Sequence, residues 1–146
     1  MKKQTRFLSF FMMCIILFTM TACGQKTYST LEEWYADNPL PESETHSTYQ
    51  GDGFSGTIDI TIEENELIYK CTLSKKIFGV DAKMDEIYKE YFDKSFSQQQ
   101  ATFNEIINNI SSTSGIDASL ISLRYEYYNP GDSTPFYSKS FDKNFF

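Results

Sequence analysis

Residues 57–73 read TIDITIEENELIYKCTL and carry the clearest strand pattern in the chain. Two runs of alternating apolar residues flank the polar EENE segment: Ile58, Ile60 and Ile62 before it, and Leu67, Tyr69, Cys71 and Leu73 after it. A period of two is typical of a strand with one buried face, so the stretch predicts a β-hairpin with its turn at residues 63–66. The three carboxylates of this turn lack the aspartate spacing and the glycine of a helix-loop-helix calcium site, so we expect no metal there.

Residues 80–110 change to helical periodicity. Their apolar positions form one broad stripe: Met84, Ile87, Tyr88, Tyr91, Phe92, Phe96, Phe103, Ile106, Ile107 and Ile110. A helix of about 28 to 30 residues is about 45 Å long, whereas an eight-residue strand covers about 26 Å. The helix must therefore overhang the sheet or bend. We expect the bend at residues 95–100, where glutamines interrupt the apolar stripe. Gln99 in this segment should contribute little to stability. We expect a C-cap at Gly115.

The flanking segments complete the pattern. After Gly115, alternation over residues 121–127 and a turn at Asn129-Pro130-Gly131-Asp132 predict a second hairpin that continues over residues 136–141. Before the first hairpin, Thr30-Leu31-Glu32-Glu33 has the spacing of a capping box and predicts a short helix that ends at Asn38-Pro39. The polar segment 40–53, which holds His46, is interpreted as a loop.

Together these elements predict an α+β fold. A short N-terminal helix precedes a β-β-α-β-β arrangement, in which one long helix covers a four-stranded antiparallel sheet. We assign residues 29–146 to this single domain.

The N-terminus has the features of a bacterial lipoprotein signal. Lys2, Lys3 and Arg6 precede an apolar segment at residues 7–18, which is shorter than the roughly 20 residues of a membrane-spanning helix, so a span is the less favoured interpretation. Met20-Thr21-Ala22-Cys23 resembles the lipobox, although leucine is more usual than Met20. We predict a signal peptide at residues 1–22, cleavage between Ala22 and Cys23, lipid attachment at Cys23, and a lipidated cysteine with a short tether at residues 23–28. The alternative is an ordinary signal that leaves Cys23 as a free thiol.

The cysteine content and the net charge of the mature chain limit the kinds of partner that it can bind. Cys14 leaves with the signal and Cys23 carries the lipid, so Cys71 cannot form an intrachain disulfide and is predicted to be buried in the core. Loss of the signal leaves 10 basic and 20 acidic residues. This negative charge disfavours nucleic acid and anionic lipid surfaces as partners, so the lipid on Cys23 must hold the protein at the membrane.

Neither a catalytic site nor a cofactor site is predicted. His46 is the only histidine, no phosphate-binding glycine loop occurs, and no metal-ligand spacing is present. Paired carboxylates leave a glycoside hydrolase as the least favoured alternative. The aromatic content is high, and Tyr125, Tyr127, Tyr128 and Tyr137 either form a protein-binding or sugar-stacking face or pack the helix on the sheet.

Four segments carry a resemblance to known proteins: residues 29–35 (STLEEWY), 101–103 (ATF), 114–117 (SGID) and 136–141 (FYSKSF). With them the chain resembles small lipoproteins of Gram-positive bacteria that carry a shared domain of unknown function. The resemblance implies a location in the cell envelope and assigns no catalytic residue.

We therefore expect a lipoprotein on the extracytoplasmic face of the cell membrane. Its expected role is that of a non-catalytic binding or accessory module, with an envelope protein as the expected partner and no cofactor. A solute- or glycan-binding lipoprotein is the main alternative.

Overall fold

The protein is described here by a computed structural model that covers residues 26–51 and 54–143. Its helices are α1 (Leu31–Asp37), α2 (Glu42–Thr45), α3 (Ala82–Ser97), α4 (Gln100–Ser114) and a 3₁₀ turn (Ala118–Leu120). Its strands are β1 (His46–Gly51), β2 (Phe54–Glu63), β3 (Glu66–Leu73), β4 (Ser122–Tyr128) and β5 (Tyr137–Asp142). The α+β class is as predicted, and both predicted hairpins, β2–β3 and β4–β5, are confirmed.

The sheet differs from the prediction in strand number. It has five strands in the order β1-β2-β3-β4-β5, not four. The segment 40–53, interpreted as a loop, contains α2 and the edge strand β1, which pairs antiparallel with β2 from His46 opposite Asp59 to Gly51 opposite Phe54. His46 therefore lies on a strand. Backbone pairing with β2 holds this polar strand, and it needs no apolar alternation of its own.

The sheet also differs in strand direction. β3 and β4 are parallel, with Glu66 beside Ser122 and Thr72 beside Tyr128, so the prediction of an antiparallel sheet is wrong at this pair. The physical reason is the connection. Because α3 and α4 carry the chain back across the whole sheet before β4 starts, β4 begins at the same end as β3, as in a crossover between parallel strands.

The long helix is interrupted within the region predicted for a bend. α3 ends at Ser97 and α4 begins at Gln100. Gln99 bridges them, because its amide donates to the Phe96 carbonyl and its carbonyl accepts from the Phe103 amide, both at 3.0 Å. Gln99 is only 6% exposed, so the prediction that it lies in a segment of little structural importance is not supported.

The core lies between one face of the sheet and the two helices. Phe103 stacks on Phe141 with ring centroids 4.2 Å apart, and Phe96 lies 5.3 Å from Tyr125. Cys71 is 2% exposed on the same face, which confirms its predicted burial.

Helix capping follows the sequence closely. Thr30 Oγ1 accepts from the Glu33 amide at 3.1 Å, which confirms the predicted N-cap of α1. The Glu33 carboxylate accepts from the amide of Ser29, not from that of Thr30 as an ideal capping box requires. Gly115 caps α4 with a φ of +77°, as predicted.

Candidate functional site

The two ends of the sheet carry different features. At one end, the Leu31 amide donates to Asn65 Oδ1 and the Glu32 amide donates to the Glu64 carbonyl, both at 2.8 Å, so α1 is docked on the β2–β3 turn. We call this the turn end. β3 runs away from it for eight residues, or about 26 Å. The opposite end, where β3 leads into α3, is called the far end.

The far end carries an exposed apolar surface. The side chains of Val80, Met84, Ile87 and Tyr91 are 69%, 38%, 48% and 40% exposed. We call these four residues the apolar tip. The last three were predicted to lie in the buried stripe, but within α3 only Phe92 and Phe96 are buried.

The tip is exposed because α3 extends past the strands. Phe92 is the first fully buried residue of the helix, and its ring lies 4.7 Å from Tyr127 and 5.0 Å from Tyr137, which are at the far ends of β4 and β5. In the preceding turns, Tyr88 makes an edge contact with Phe54 at 6.3 Å and is half-buried. The sequence indicated this overhang, because the predicted helix is longer than the predicted strands.

Hydrogen bonds fix the segment that leads to the tip. The Asp81 carboxylate caps α3 by accepting from the amides of Lys83 (2.8 Å) and Met84 (3.3 Å). The Gly79 amide donates to the Asp85 carboxylate at 2.9 Å, with Gly79 in the left-handed region at φ +73°. These hydrogen bonds fix the backbone that carries the tip, and a surface fixed in one conformation pays a lower entropic cost when it binds.

A second feature of the far end is a shallow hollow of about 560 Å³ at β1, β2 and β3. Its polar lining consists of Thr48, Gln50, Ser55, Thr57, Thr72 and Ser74, and we call it the hydroxyl hollow. Cross-strand pairing places these side chains on the face opposite the helices, because Thr57 pairs with both Thr48 and Thr72 while the apolar residues between them face the core. The hollow and the tip therefore lie on different surfaces of the same end.

The tyrosine cluster singled out in the sequence does not form a binding face. Tyr125, Tyr127 and Tyr137 are buried under the helices, which favours the packing interpretation. Tyr128 alone is directed to the opposite face, where its hydroxyl donates to Glu126 at 2.6 Å. Burial, and secondarily this hydrogen bond, raises the pKa of Tyr128 to about 12. Tyr137 donates to Asp93 at 2.7 Å, and burial raises the pKa of its hydroxyl.

Several charged groups on the sheet face opposite the helices form ion pairs. Arg124 contacts Glu66 and Glu126 at 3.0 Å and Glu63 at 3.6 Å. Two of the three carboxylates of the β2–β3 turn are thus engaged by a guanidinium. Within residues 26–51 and 54–143, no group of three or more histidines, cysteines and acidic residues is placed to hold a metal ion.

His46 forms an ion pair on the same face. Its Nδ1 lies 2.5 Å from the Asp59 carboxylate, and this hydrogen bond, followed by the charge of Asp59, raises the pKa of His46 above its ordinary value of 6.5. Both side chains are about half exposed. The pair joins β1 to β2, and this contact gives His46 a structural role.

The predicted lipidation site, Cys23, and the cleavage position after Ala22 lie outside the described residues, as does the signal peptide at residues 1–22. In the described part of the chain, no helix is both long enough and apolar enough to cross a membrane.

Residues 31–141 match the family model described as "Domain of unknown function (DUF4854)". The matched segment starts at the first residue of α1 and ends inside β5, so it contains the apolar tip and the hydroxyl hollow. Neither the curated proteins nor the solved structures include a match to this chain.

Proposed function

Because this chain belongs to the DUF4854 family, whose function is unknown, we propose its role from its own residues: a lipid-anchored, non-catalytic binding module on the outer face of the cell membrane. The anchor is the lipid on Cys23, and the binding surface is the apolar tip. The expected partner is a protein of the cell envelope.

The anchoring part of the proposal rests on the sequence. A basic start, an apolar segment and Ala22-Cys23 together form a lipoprotein signal. Two acyl chains on one cysteine are enough for stable membrane attachment. Only seven residues separate Cys23 from α1, which spans at most about 25 Å when extended. The domain is therefore held close to the membrane with α1 and the turn end on the anchored side.

The exposed apolar tip is the single observation that carries the binding function. Monomeric domains expose scattered apolar residues, but four on adjacent turns at one end form a patch of the kind found in interaction sites. Charged Lys83, Glu86 and Glu90 are interspersed along the same helix and give the patch the polar rim of a protein interface. Since the tip lies at the far end, it is presented away from the membrane.

The size of the tip favours a transient contact. Stable interfaces bury about 800 Å² on each partner, which is more than four partly exposed side chains supply. A partner held in the same envelope compensates for weak affinity, because attachment raises the effective concentration of the two surfaces.

Substitution of the tip tests this function. Ile87→Glu should remove a partner that co-purifies with the wild-type protein from cross-linked membranes, and should leave the unfolding temperature unchanged because Ile87 is half exposed. Leu120→Glu is the matched control, since Leu120 is 58% exposed in the 3₁₀ turn that precedes β4 at the turn end. Equal recovery of the partner with both variants would rule out the tip as its binding surface.

The anchor is tested separately. Mass spectrometry of the mature protein should find a diacylglyceryl-modified Cys23 at the N-terminus, and Cys23→Ser should abolish the modification and release the protein from membranes. An unmodified N-terminal cysteine, or a different first residue, would disprove lipid anchoring.

A further inference from the structure

The hydroxyl hollow combines a polar lining with a complete lack of charge. Seven of its nine lining residues, Tyr49 included, carry a hydroxyl or an amide as their only polar side-chain group, and none is acidic, basic or histidine. The chain as a whole has 20 acidic and 13 basic residues, and none of them lines the hollow. On the side towards the turn end, the next row carries charge, with His46 opposite Asp59.

The uncharged polar side chains of the hydroxyl hollow determine which class of ligand it can bind. Hydroxyl and carboxamide groups donate and accept hydrogen bonds, which is also what the hydroxyl groups of a sugar do. A phosphate or carboxylate ligand would need basic side chains, and a cation would need carboxylates. We propose that the hydroxyl hollow is a binding site for a neutral, hydroxyl-rich glycan.

The lining is built as two rows across the strands. Thr48, Thr57 and Thr72 form one row, and backbone pairing places them side by side on β1, β2 and β3. Gln50, Ser55 and Ser74 form the second row. In it, the Ser55 and Ser74 hydroxyls are hydrogen-bonded to each other, and the Ser74 amide donates to the Ser55 carbonyl at 2.8 Å. A glycan lying across the strands would meet both rows.

Gly56 lies between the two rows and keeps β2 and β3 close together. A Cβ atom at this position would be 2.2 Å from the Thr72 carbonyl oxygen, so no other residue fits without moving a strand. Glycine inside a strand often marks a close backbone approach or a ligand site. Here the close approach sets the distance between the β2 and β3 side chains within each row.

The size and position of the hollow agree with a glycan ligand. Its volume of about 560 Å³ is within the range of small-molecule sites, and it is open to solvent, as a chain-like ligand requires. It lies at the far end but on the face opposite the helices. This site is therefore distinct from the apolar tip, and either proposal can fail without the other.

Titration by two-dimensional NMR tests the site. The mature protein, labelled with ¹⁵N and held in zwitterionic detergent without sugar headgroups, is titrated with chitotetraose and with cellotetraose, two neutral tetrasaccharides with and without N-acetyl groups. Oligogalacturonate serves as the acidic comparison. The variant Thr57→Val/Thr72→Val removes two hydroxyls but keeps side-chain shape and strand propensity.

Thr61→Val is the matched control, because Thr61 lies on the same strand and face outside the hollow, and among residues 26–51 and 54–143 its hydroxyl has no hydrogen-bond partner. We expect saturable shifts at the hollow amides with at least one neutral tetrasaccharide, weakened at least about tenfold in the double variant and unchanged in Thr61→Val. A response to chitotetraose alone would support an N-acetylated glycan, and a response to both a broader neutral class. Absence of saturable shifts, equal binding by the double variant, or equal binding of oligogalacturonate would overturn the proposal.

Discussion

The side-chain amide of Asn129 forms two hydrogen bonds with the backbone of Phe78, in the way that a backbone amide of an adjacent strand would. The Phe78 amide donates to Asn129 Oδ1 at 3.2 Å, and Asn129 Nδ2 donates to the Phe78 carbonyl at 3.1 Å. The same Asn129 oxygen accepts from the Ile77 amide at 3.2 Å, and the side chain is almost fully buried. This one residue thus ties the end of β4 to the segment that leads into α3, and it helps to position the apolar tip.

Loss of this side chain should destabilise the domain. Asn129→Ala leaves the Ile77 and Phe78 amides without their acceptor, and each buried unpaired group costs about 1–3 kcal/mol. We expect the free energy of unfolding to fall by at least about 1 kcal/mol, measured by chemical denaturation. Asn108→Ala, at an exposed position of α4, should change it by less than about 0.5 kcal/mol. Equal effects of the two substitutions would show that Asn129 does not hold this segment.

Phe103 is the central contact between α4 and the sheet. It is fully buried and stacks on Phe141. Phe103→Ala should lower the free energy of unfolding by about 3–5 kcal/mol, because it leaves a cavity in a packed aromatic cluster. Gln98→Ala, at an exposed position between the helices, is the control and should have an effect below about 0.5 kcal/mol. A neutral Phe103→Ala would mean that α4 does not pack as described.

A substitution at Gly56 tests how closely β2 and β3 approach each other. In Gly56→Ala the new methyl group meets the Thr72 carbonyl oxygen, so the strands must separate. We expect a loss of about 1–3 kcal/mol in the free energy of unfolding. Ser138→Ala, at an exposed position of the edge strand β5, is the control and should leave the free energy of unfolding nearly unchanged. If Gly56→Ala were equally neutral, the strand spacing in this region would be wider than the structure shows.

The ion pair of His46 and Asp59 makes stability depend on pH. Since its pKa is raised in the folded state, the stabilisation is fully present below about pH 6.5 and is lost as pH rises through the folded pKa. NMR titration of this single histidine should give a pKa above 6.5, and Asp59→Asn should bring it back towards that value. A His46 pKa that does not respond to Asp59→Asn would show that the pair does not form in solution.

The sequence predicted the parts of the fold that depend on buried periodic side chains. Both hairpins, the caps at Thr30 and Gly115 and the interruption near Gln99 follow from local patterns. The sequence did not predict β1, because an edge strand held by backbone pairing carries no apolar alternation. It also did not predict the parallel pairing of β3 and β4, since alternation identifies the buried face of a strand but not the strand beside it.

The candidate surfaces were predictable only in part. Comparison of helix and strand lengths indicated an overhang, but the residues of the apolar tip follow the same helical period as buried Phe92 and Phe96. Only the position where the sheet ends separates the two groups. The hydroxyl hollow was not indicated by the sequence, because its six residues come in pairs from β1, from β2 and from the end of β3, which are brought together only by strand pairing, and β1 itself was not predicted.

Site-specific photo-cross-linking in intact cells tests whether the apolar tip is the surface that binds an envelope protein. A photoreactive amino acid is placed at position 87 in the apolar tip or at position 120 at the turn end, in otherwise wild-type protein. We expect a discrete protein adduct from position 87 that is absent from position 120 and disappears when Met84→Glu is added to the same chain. The same adduct from both positions, or none from position 87, would contradict the assignment of the apolar tip as the binding surface.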